Sequence, residues 1–214
     1  MAGRVIVVAQ QKGGAGKTTL AANLAVDMAA RGLTTAIVDS DPQGSLGRWF
    51  MARRTTRDAQ EGDIAFSTSS AWGVAYEAEK LRAAHDIVIV DTPPKIDADL
   101  RPALREADLV LVPVSASAVD LWATGGVLDL AAREERAALL VLNRARAGTR
   151  LADRMRAALS ELNAPVARTV IGNRVALAEV MEHGLAVAEA GAKAATARSE
   201  IHELGDELLE MLTP

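Results

Sequence analysis

The chain has 214 residues, 50% hydrophobic and 24% charged, with no cysteine. That balance belongs to a globular protein with a sizeable core and excludes a disordered chain, a fibre and a coiled-coil rod. The missing cysteines exclude disulfides, thiolate metal sites, iron–sulfur clusters and a cysteine nucleophile. Net charge is −4 and only 3% of residues are aromatic, so contact with nucleic acid would need a local basic patch rather than a global field or stacking platforms.

In chain order, the first signal is Arg4 followed by a short apolar run, residues 5–9. The run is too short for a secretory signal, and no stretch reaches the roughly 18 apolar residues of a spanning helix, so a cytoplasmic protein is expected. Short β-branched runs at 5–8, 35–38, 87–90, 109–112 and 139–142 are continuously apolar. Parallel strands buried on both faces read this way. Two further strands are expected at 64–67 and 166–170. Between them lie Ala- and Leu-rich segments of helical spacing: 17–31, closed by Gly32, then 72–84, 100–106, 118–133 and 151–162. The last third is helical, 174–182 and 192–212, while 53–62 reads as loop. The alternation predicts an α/β fold, a doubly wound, mostly parallel sheet flanked by helices, in a single domain over 1–214.

The sharpest motif is Gln11, Lys12, Gly13, Gly14, Ala15, Gly16, Lys17, Thr18 and Thr19, placed between a strand and a helix. Glycines let backbone N–H groups converge on phosphate oxygens, and the helix N-terminus adds its positive dipole end. Lys17 is the candidate for the β and γ phosphates and the Thr18 hydroxyl for Mg2+. The plain alternative is a glycine-rich turn with no ligand. The standard spacing asks for glycine where Gln11 stands, and a second lysine, Lys12, follows it.

This Lys-Gly-Gly-x-Gly-Lys-Thr-Thr form resembles the deviant Walker A motif of the ParA/MinD family of ATPases. The resemblance continues in family order. Asp39-Ser40-Asp41-Pro42-Gln43-Gly44 looks like that family's switch I, and Asp91-Thr92-Pro93-Pro94 looks like its Walker B strand end and switch II. Residues 112–114 and Leu142-Asn143-Arg144 resemble later strand ends. Length and the Asp-Pro-Gln-Gly element are most like the small ParA-type partition ATPases. The resemblance implies a P-loop fold, ATP and Mg2+ as cofactors, a homodimer formed with ATP, and slow hydrolysis stimulated by a partner protein, ParB-like or a cargo adaptor. It implies partition or positioning of DNA or of a protein cargo over the nucleoid, with nonspecific DNA as a further partner.

By the same resemblance, Asp41 positions the attacking water near Mg2+, Asp39 braces the loop, and Asn143 bonds the adenine base. Asp91 closes an apolar strand and is placed to hold the Mg2+ shell. Lys12, surplus to one phosphate site, would reach the other subunit's phosphates in a two-fold sandwich. Each aspartate could instead be a strand-end turn residue, Asn143 an Asx turn, and Lys12 a solvated lysine.

Two basic groups stand out. Arg144, Arg146, Arg150, Arg154 and Arg156 face one acid, Asp153; Arg48, Arg53, Arg54 and Arg57 follow switch I. Each is either a solvated face or a contact for DNA phosphates. Trp49, Trp72 and Trp122 read as packing residues. His85, His183 and His202 show no metal spacing. Residues 198–214 carry one arginine against five acids, with an apolar stripe Ile201, Leu204, Leu208 and Met211. An acidic helix is repelled by anionic lipid, so it is expected to dock on the sheet, with no membrane contact. The alternatives to a positioning ATPase are a metabolic P-loop ligase of the dethiobiotin synthetase type, a MinD-like spatial regulator and a nonenzymatic nucleotide-gated module. The ligase would need a separate polar cluster for its substrate, and none is visible.

Overall fold

The computed structural model describes residues 3–57, 64–94, 100–146 and 148–213. Seven strands form one sheet in the order β3-β2-β4-β1-β5-β6-β7. They are β1 (Arg4–Val8), β2 (Thr35–Asp39), β3 (Ala65–Thr68), β4 (Ile87–Asp91), β5 (Leu109–Ser115), β6 (Ala138–Ala145) and β7 (Val166–Gly172). Every pairing is parallel. The helices are α1 (Lys17–Ala30), α2 (Ser45–Thr56), α3 (Val74–Arg82), α4 (Leu100–Glu106), α5 (Ala118–Arg133), α6 (Arg150–Ser160), α7 (Val175–Glu182) and α8 (Ala195–Leu212).

The continuous apolar runs are explained by two cores, one on each face. Ile6, Val8, Ile37 and Ile89 pack with Leu20 and Leu24 of α1 and with Ile201, Leu204 and Leu208 of α8. Their neighbours Val5, Val7, Val38, Val88 and Val90 point the other way, into a core with α3, α4, α5 and α6. Alternate residues of one strand thus serve opposite layers, and both must be apolar. β1 lies centrally, with β4 on one side and β5 on the other, so its carboxyl end opens at the switch point where such sheets bind ligands.

The expected strands all form, and β5 and β6 run further than the sequence suggests. β5 continues through Pro113 to Ser115, and β6 to Ala145, so Asn143 lies inside a strand rather than after one. The helix α2 is not foreshadowed. Its sequence is rich in arginine, and it buries only Leu46, Trp49 and Arg53, a narrow stripe that contains a charge. It takes residues 53–56 out of the expected loop, and 58–62 lie outside the described residues. The expectation for the tryptophans is corrected: Trp49 is buried, whereas Trp72 and Trp122 are 86% and 75% exposed.

The acidic C-terminal helix docks as expected. Ile201, Leu204 and Leu208 are buried, while Met211, counted in the stripe, is partly exposed and Leu212 takes the inward position. Glu207 accepts hydrogen bonds from the backbone N–H groups of Arg168 (2.7 Å) and Thr169 (2.8 Å) and from the Thr169 hydroxyl (2.6 Å). No helix among the described residues is long and apolar enough to cross a membrane.

Candidate nucleotide site

The loop 9–16 leaves β1 and enters α1 at Gly16, which has φ 90°. That left-handed conformation suits glycine, and a Cβ there would lie 2.5 Å from the Asn143 amide nitrogen. No side chain caps α1, so its first N–H groups face the cavity. The helix α2 starts the same way, at Gly44 with φ 63° and no side-chain cap. The cavity between them, about 780 Å3, is lined by the loop glycines, Lys17, Thr18, Asp41, Arg48 and Arg144, and closed by Met181 and Glu182 of α7.

Strand register brings the acids together. Val8 and Asp39 both pair with Asp91, so the ends of β1, β2 and β4 are level. Asp91 is fully buried and accepts a hydrogen bond from the Thr18 hydroxyl at 2.6 Å through Oδ2. Its Oδ1 has no hydrogen-bond partner among the described residues. Burial, aided by the nearby carboxylates of Asp39 and Asp41, pushes the Asp91 carboxyl up to about 7, against the pull of Thr18 and Lys17. An unpartnered buried carboxylate oxygen beside a hydroxyl, beneath a phosphate loop, suits Mg2+, which takes few protein oxygens and keeps several waters.

Lys17 is buried, with its ammonium 3.1 Å from the Gln10 carbonyl oxygen. Desolvation lowers its pKa, while Asp91 and Asp41 act to raise it. Asp39 is committed to scaffolding: Oδ2 accepts from the Gly47 N–H at 2.8 Å and Oδ1 from the Asp41 N–H at 3.1 Å. Burial still raises its pKa. Asp41 is half-buried on the cavity wall, its Oδ1 accepting from the Gln43 N–H at 2.9 Å.

Several of these arrangements were not legible in the motifs. Lys12 forms an ion pair with Asp120 at 2.7 Å. Asp120 is buried in the first turn of α5, where Ser117 caps the helix by accepting from the Asp120 N–H. Burial works against its charge, but hydrogen bonds from Lys12, Ser115 and Ser117 outweigh it and hold the carboxyl below its ordinary range. The available signal was the Ser-x-x-Asp spacing after a strand, a variant of the capping box. Gln10 anchors the loop from behind, donating to the Pro113 carbonyl (3.1 Å) and the Thr124 hydroxyl (3.2 Å).

Asn143 is buried and turned to the loop. Its amide donates to the Ala15 carbonyl at 2.7 Å, and its Oδ1 accepts from the Arg144 N–H at 2.9 Å. It braces the phosphate loop against β6. Arg144 has a left-handed φ of 52°, next to an irregular β6–β7 register that turns it into the cavity wall.

The two basic groups separate. Arg146, Arg150, Arg154 and Arg156 are all exposed, and Arg150 and Arg154 lie one turn apart on the outer face of α6. The group after switch I does not form a patch. Arg53 is buried with its guanidinium on Glu189 (2.8 and 2.9 Å), 5.5 Å from the Trp49 ring centroid. Arg57 pairs with the same Glu189, and Arg48 lines the nucleotide cavity. Their sequence proximity is undone by the helix α2, which sends them to different faces. No cluster of three His, Cys, Asp or Glu side chains among the described residues is placed to hold a metal.

Known proteins resemble this chain in sequence and in fold. Residues 6–187 match the family model described as the CobQ/CobB/MinD/ParA nucleotide binding domain. Over 210 residues, 95% of both chains, this sequence is 30% identical to Maintenance of carboxysome distribution protein A of Halothiobacillus neapolitanus. It is 32% identical to the chromosome-partitioning ATPase Soj of Thermus thermophilus, over 87% of this chain and 88% of that one. In fold it is similar to the septum site-determining protein MinD of Pyrococcus horikoshii, solved with Mg-ADP, with a TM-score of 0.77, 20% identity and 98% of each chain covered.

Proposed function

This chain belongs to the CobQ/CobB/MinD/ParA nucleotide-binding family, and we propose that it is a ParA-type ATPase that dimerises with ATP and positions DNA or a protein assembly over the nucleoid. The observation that carries the reading is the convergence of Lys17, Thr18 and Asp91 under an uncapped helix end, with a second lysine, Lys12, held on Asp120 next to Gly13 of the cavity wall. Lys17 binds the β and γ phosphates as a charge-assisted donor. Thr18 and Asp91 hold Mg2+, which supplies charge neutralisation at the phosphates, and the unpartnered Asp91 oxygen supports this assignment. Gly13, Gly14, Ala15, Gly16 and Thr19 contribute backbone N–H groups. Asp41, half-buried on the cavity wall near the cation side, orients the hydrolytic water.

In this reading Lys12 leaves Asp120 and reaches the phosphates of a second subunit, as an arginine finger does in trans. Arg146, Arg150, Arg154 and Arg156 contact DNA phosphates without sequence preference. A partner protein, ParB-like or a cargo adaptor, stimulates turnover. The near full-length similarity to a carboxysome distribution protein and to a chromosome-partitioning ATPase supports both kinds of cargo.

The test is light scattering on the purified chain with ATP, ADP or no nucleotide, in Mg2+, alongside ATP turnover with and without DNA. A mass that doubles only with ATP, with turnover that is slow alone, supports the proposal. An unchanged mass with ATP, or fast turnover that requires a small carboxylic acid, overturns it in favour of a ligase.

A further inference from the structure

Two helices form the cavity walls that face the phosphate loop. Ser45, Arg48, Trp49 and Ala52 line it from one face of α2, and Ala178, Met181 and Glu182 line it from α7. The helix α2 starts at Ser45, four residues after Asp41, yet it buries only Leu46, Trp49 and Arg53. So narrow a stripe fixes a helix weakly by apolar packing. The turn of Asp41 holds itself by local bonds, its carboxylate accepting from the Gln43 N–H and its carbonyl from the Gly44 N–H at 2.8 Å. Where that turn stands is therefore set by the polar anchors of α2.

One anchor is Asp39, which holds the Gly47 N–H. Another lies at the far end, where α2 meets the turn 183–189 that follows α7. Arg53 places its guanidinium on both oxygens of Glu189, at 2.8 and 2.9 Å, and on the Gly184 carbonyl at 3.2 Å. The Trp49 indole N–H donates to the Leu185 carbonyl at 3.0 Å, and the Thr56 hydroxyl to the His183 carbonyl at 2.8 Å. Gly184 has φ 67°, and a Cβ there would lie 2.0 Å from the Arg53 backbone nitrogen, so only glycine allows this approach. The same turn is pinned to α1. The buried Asn23 accepts from the Val187 N–H at 2.9 Å and donates to the Thr19 carbonyl at 2.8 Å. Thr19, Asn23, Val187, Glu189 and Arg53 thus form a continuous path from the phosphate loop to α2.

We propose that the Arg53–Glu189 clamp sets where Asp41 stands over the phosphate loop, so that both are positioning residues for ATP hydrolysis. This rests on the reading of residues 11–19 as a nucleotide loop and of Asp41 as the group that orients water. A bidentate ion pair fixes direction as well as distance. Misplacing a reacting group by about 1 Å can cost about a hundredfold in rate. Binding depends less on the clamp, because Lys17 and Thr18 belong to α1. Neither single substitution strands a charge. Without Arg53, Glu189 keeps Arg57 and the Ala186 N–H; without the Glu189 charge, Arg53 keeps the Gly184 carbonyl and the Trp49 ring.

The experiment measures ATP affinity by calorimetry and single-turnover hydrolysis on the full chain with Mg2+. Arg53→Met is expected to keep ATP affinity within about threefold and to slow hydrolysis by about tenfold. Glu189→Gln is expected to slow it less, and it serves if Arg53→Met does not fold. Arg53→Lys keeps the charge without the fork and is expected to recover part of the rate. In an Asp41→Ala chain, adding Arg53→Met is expected to cost less than about twofold more, because both act at one step. Hydrogen exchange in the ATP complex is expected to quicken at 41–49 and to stay unchanged at 13–19. Equal losses of affinity and rate, no loss of rate, full additivity with Asp41→Ala, or exchange quickened along the whole chain would overturn the clamp. An Asp41→Ala chain that hydrolyses at the wild-type rate would overturn the reading of Asp41, and the clamp with it. A wild-type chain that binds no ATP would overturn the nucleotide loop itself.

Discussion

Lys12 and Asp120 meet beside the mouth of the nucleotide cavity, ammonium to carboxylate at 2.7 Å, with the lysine side chain 42% exposed and the aspartate almost wholly covered. The pair joins the phosphate loop to the first turn of α5. Such a partly exposed pair contributes modestly to stability and can be exchanged for a stronger anion. In the proposed dimer, a triphosphate is that anion. Lys12→Ala should therefore keep ADP affinity within about twofold yet lose the ATP-induced dimer and the stimulated turnover. Asp120→Asn keeps the shape of the cap and releases Lys12, so it should dimerise with ATP at least as readily as the wild type. Light scattering across a range of protein concentrations reads both. A Lys12→Ala chain that still dimerises removes the lysine from the interface.

Asp41 and Lys17 should separate in their effects. Lys17 is buried beneath the loop, and removing its charge should weaken ATP binding more than about tenfold. Among the described residues the Asp41 carboxylate accepts a hydrogen bond only from the Gln43 N–H of its own turn, so Asp41→Ala leaves the phosphate cradle standing. That variant should retain ATP and lower the single-turnover rate by about a hundredfold, the scale of a general base or water-orienting group. Equal losses of binding and rate would make Asp41 a scaffold residue like Asp39.

DNA binding should depend on α6 rather than on α2. Arg150→Glu with Arg154→Glu reverses two charges on one helix face and should weaken DNA binding by about tenfold or more, with a shallower dependence on salt. Arg54→Glu should do little by comparison, because Arg53 and Arg57 beside it are committed to Glu189. Fluorescence anisotropy on a short duplex at several salt concentrations measures this. ATP affinity should be unaltered in all these variants.

Glu207 ties the C-terminal helix to β7, and its ionisation should appear in the stability profile. Burial opposes its charge, but hydrogen bonds from Thr169 and from the N–H groups of Arg168 and Thr169, with Arg168 nearby, outweigh that and lower its pKa from 4.5. A depressed folded value means the stabilisation is complete above the unfolded value and is lost as pH falls through the folded one. Glu207→Gln should cost roughly 2 kcal/mol at pH 7, the scale of hydrogen bonds to a charged group. The gap to the wild type should narrow below pH 4.5. Thermal melts at pH 7 and in mild acid give the comparison, and a gap independent of pH would show that packing, not charge, is what Glu207 supplies.

What the sequence determined by itself was local. Strand runs apolar on both faces, helices with regular spacing, and a glycine loop joining one to the other are all set by neighbours in the chain, and they were legible for that reason. The phosphate loop and its lysines were visible because backbone approach and charge at that spacing need nothing from elsewhere. The tertiary structure decided everything that depends on register or on a distant partner. Strand pairing places Asp91 against Thr18, β6 carries Asn143 to Ala15, and α5 offers Asp120 to Lys12. It also sorted the arginines. Arg53, Arg57 and Arg150 look alike in sequence, yet the first two are drawn to Glu189 by the turn of α2 while the third remains in solvent. Charge is a property of a residue, but its availability is a property of what folds against it.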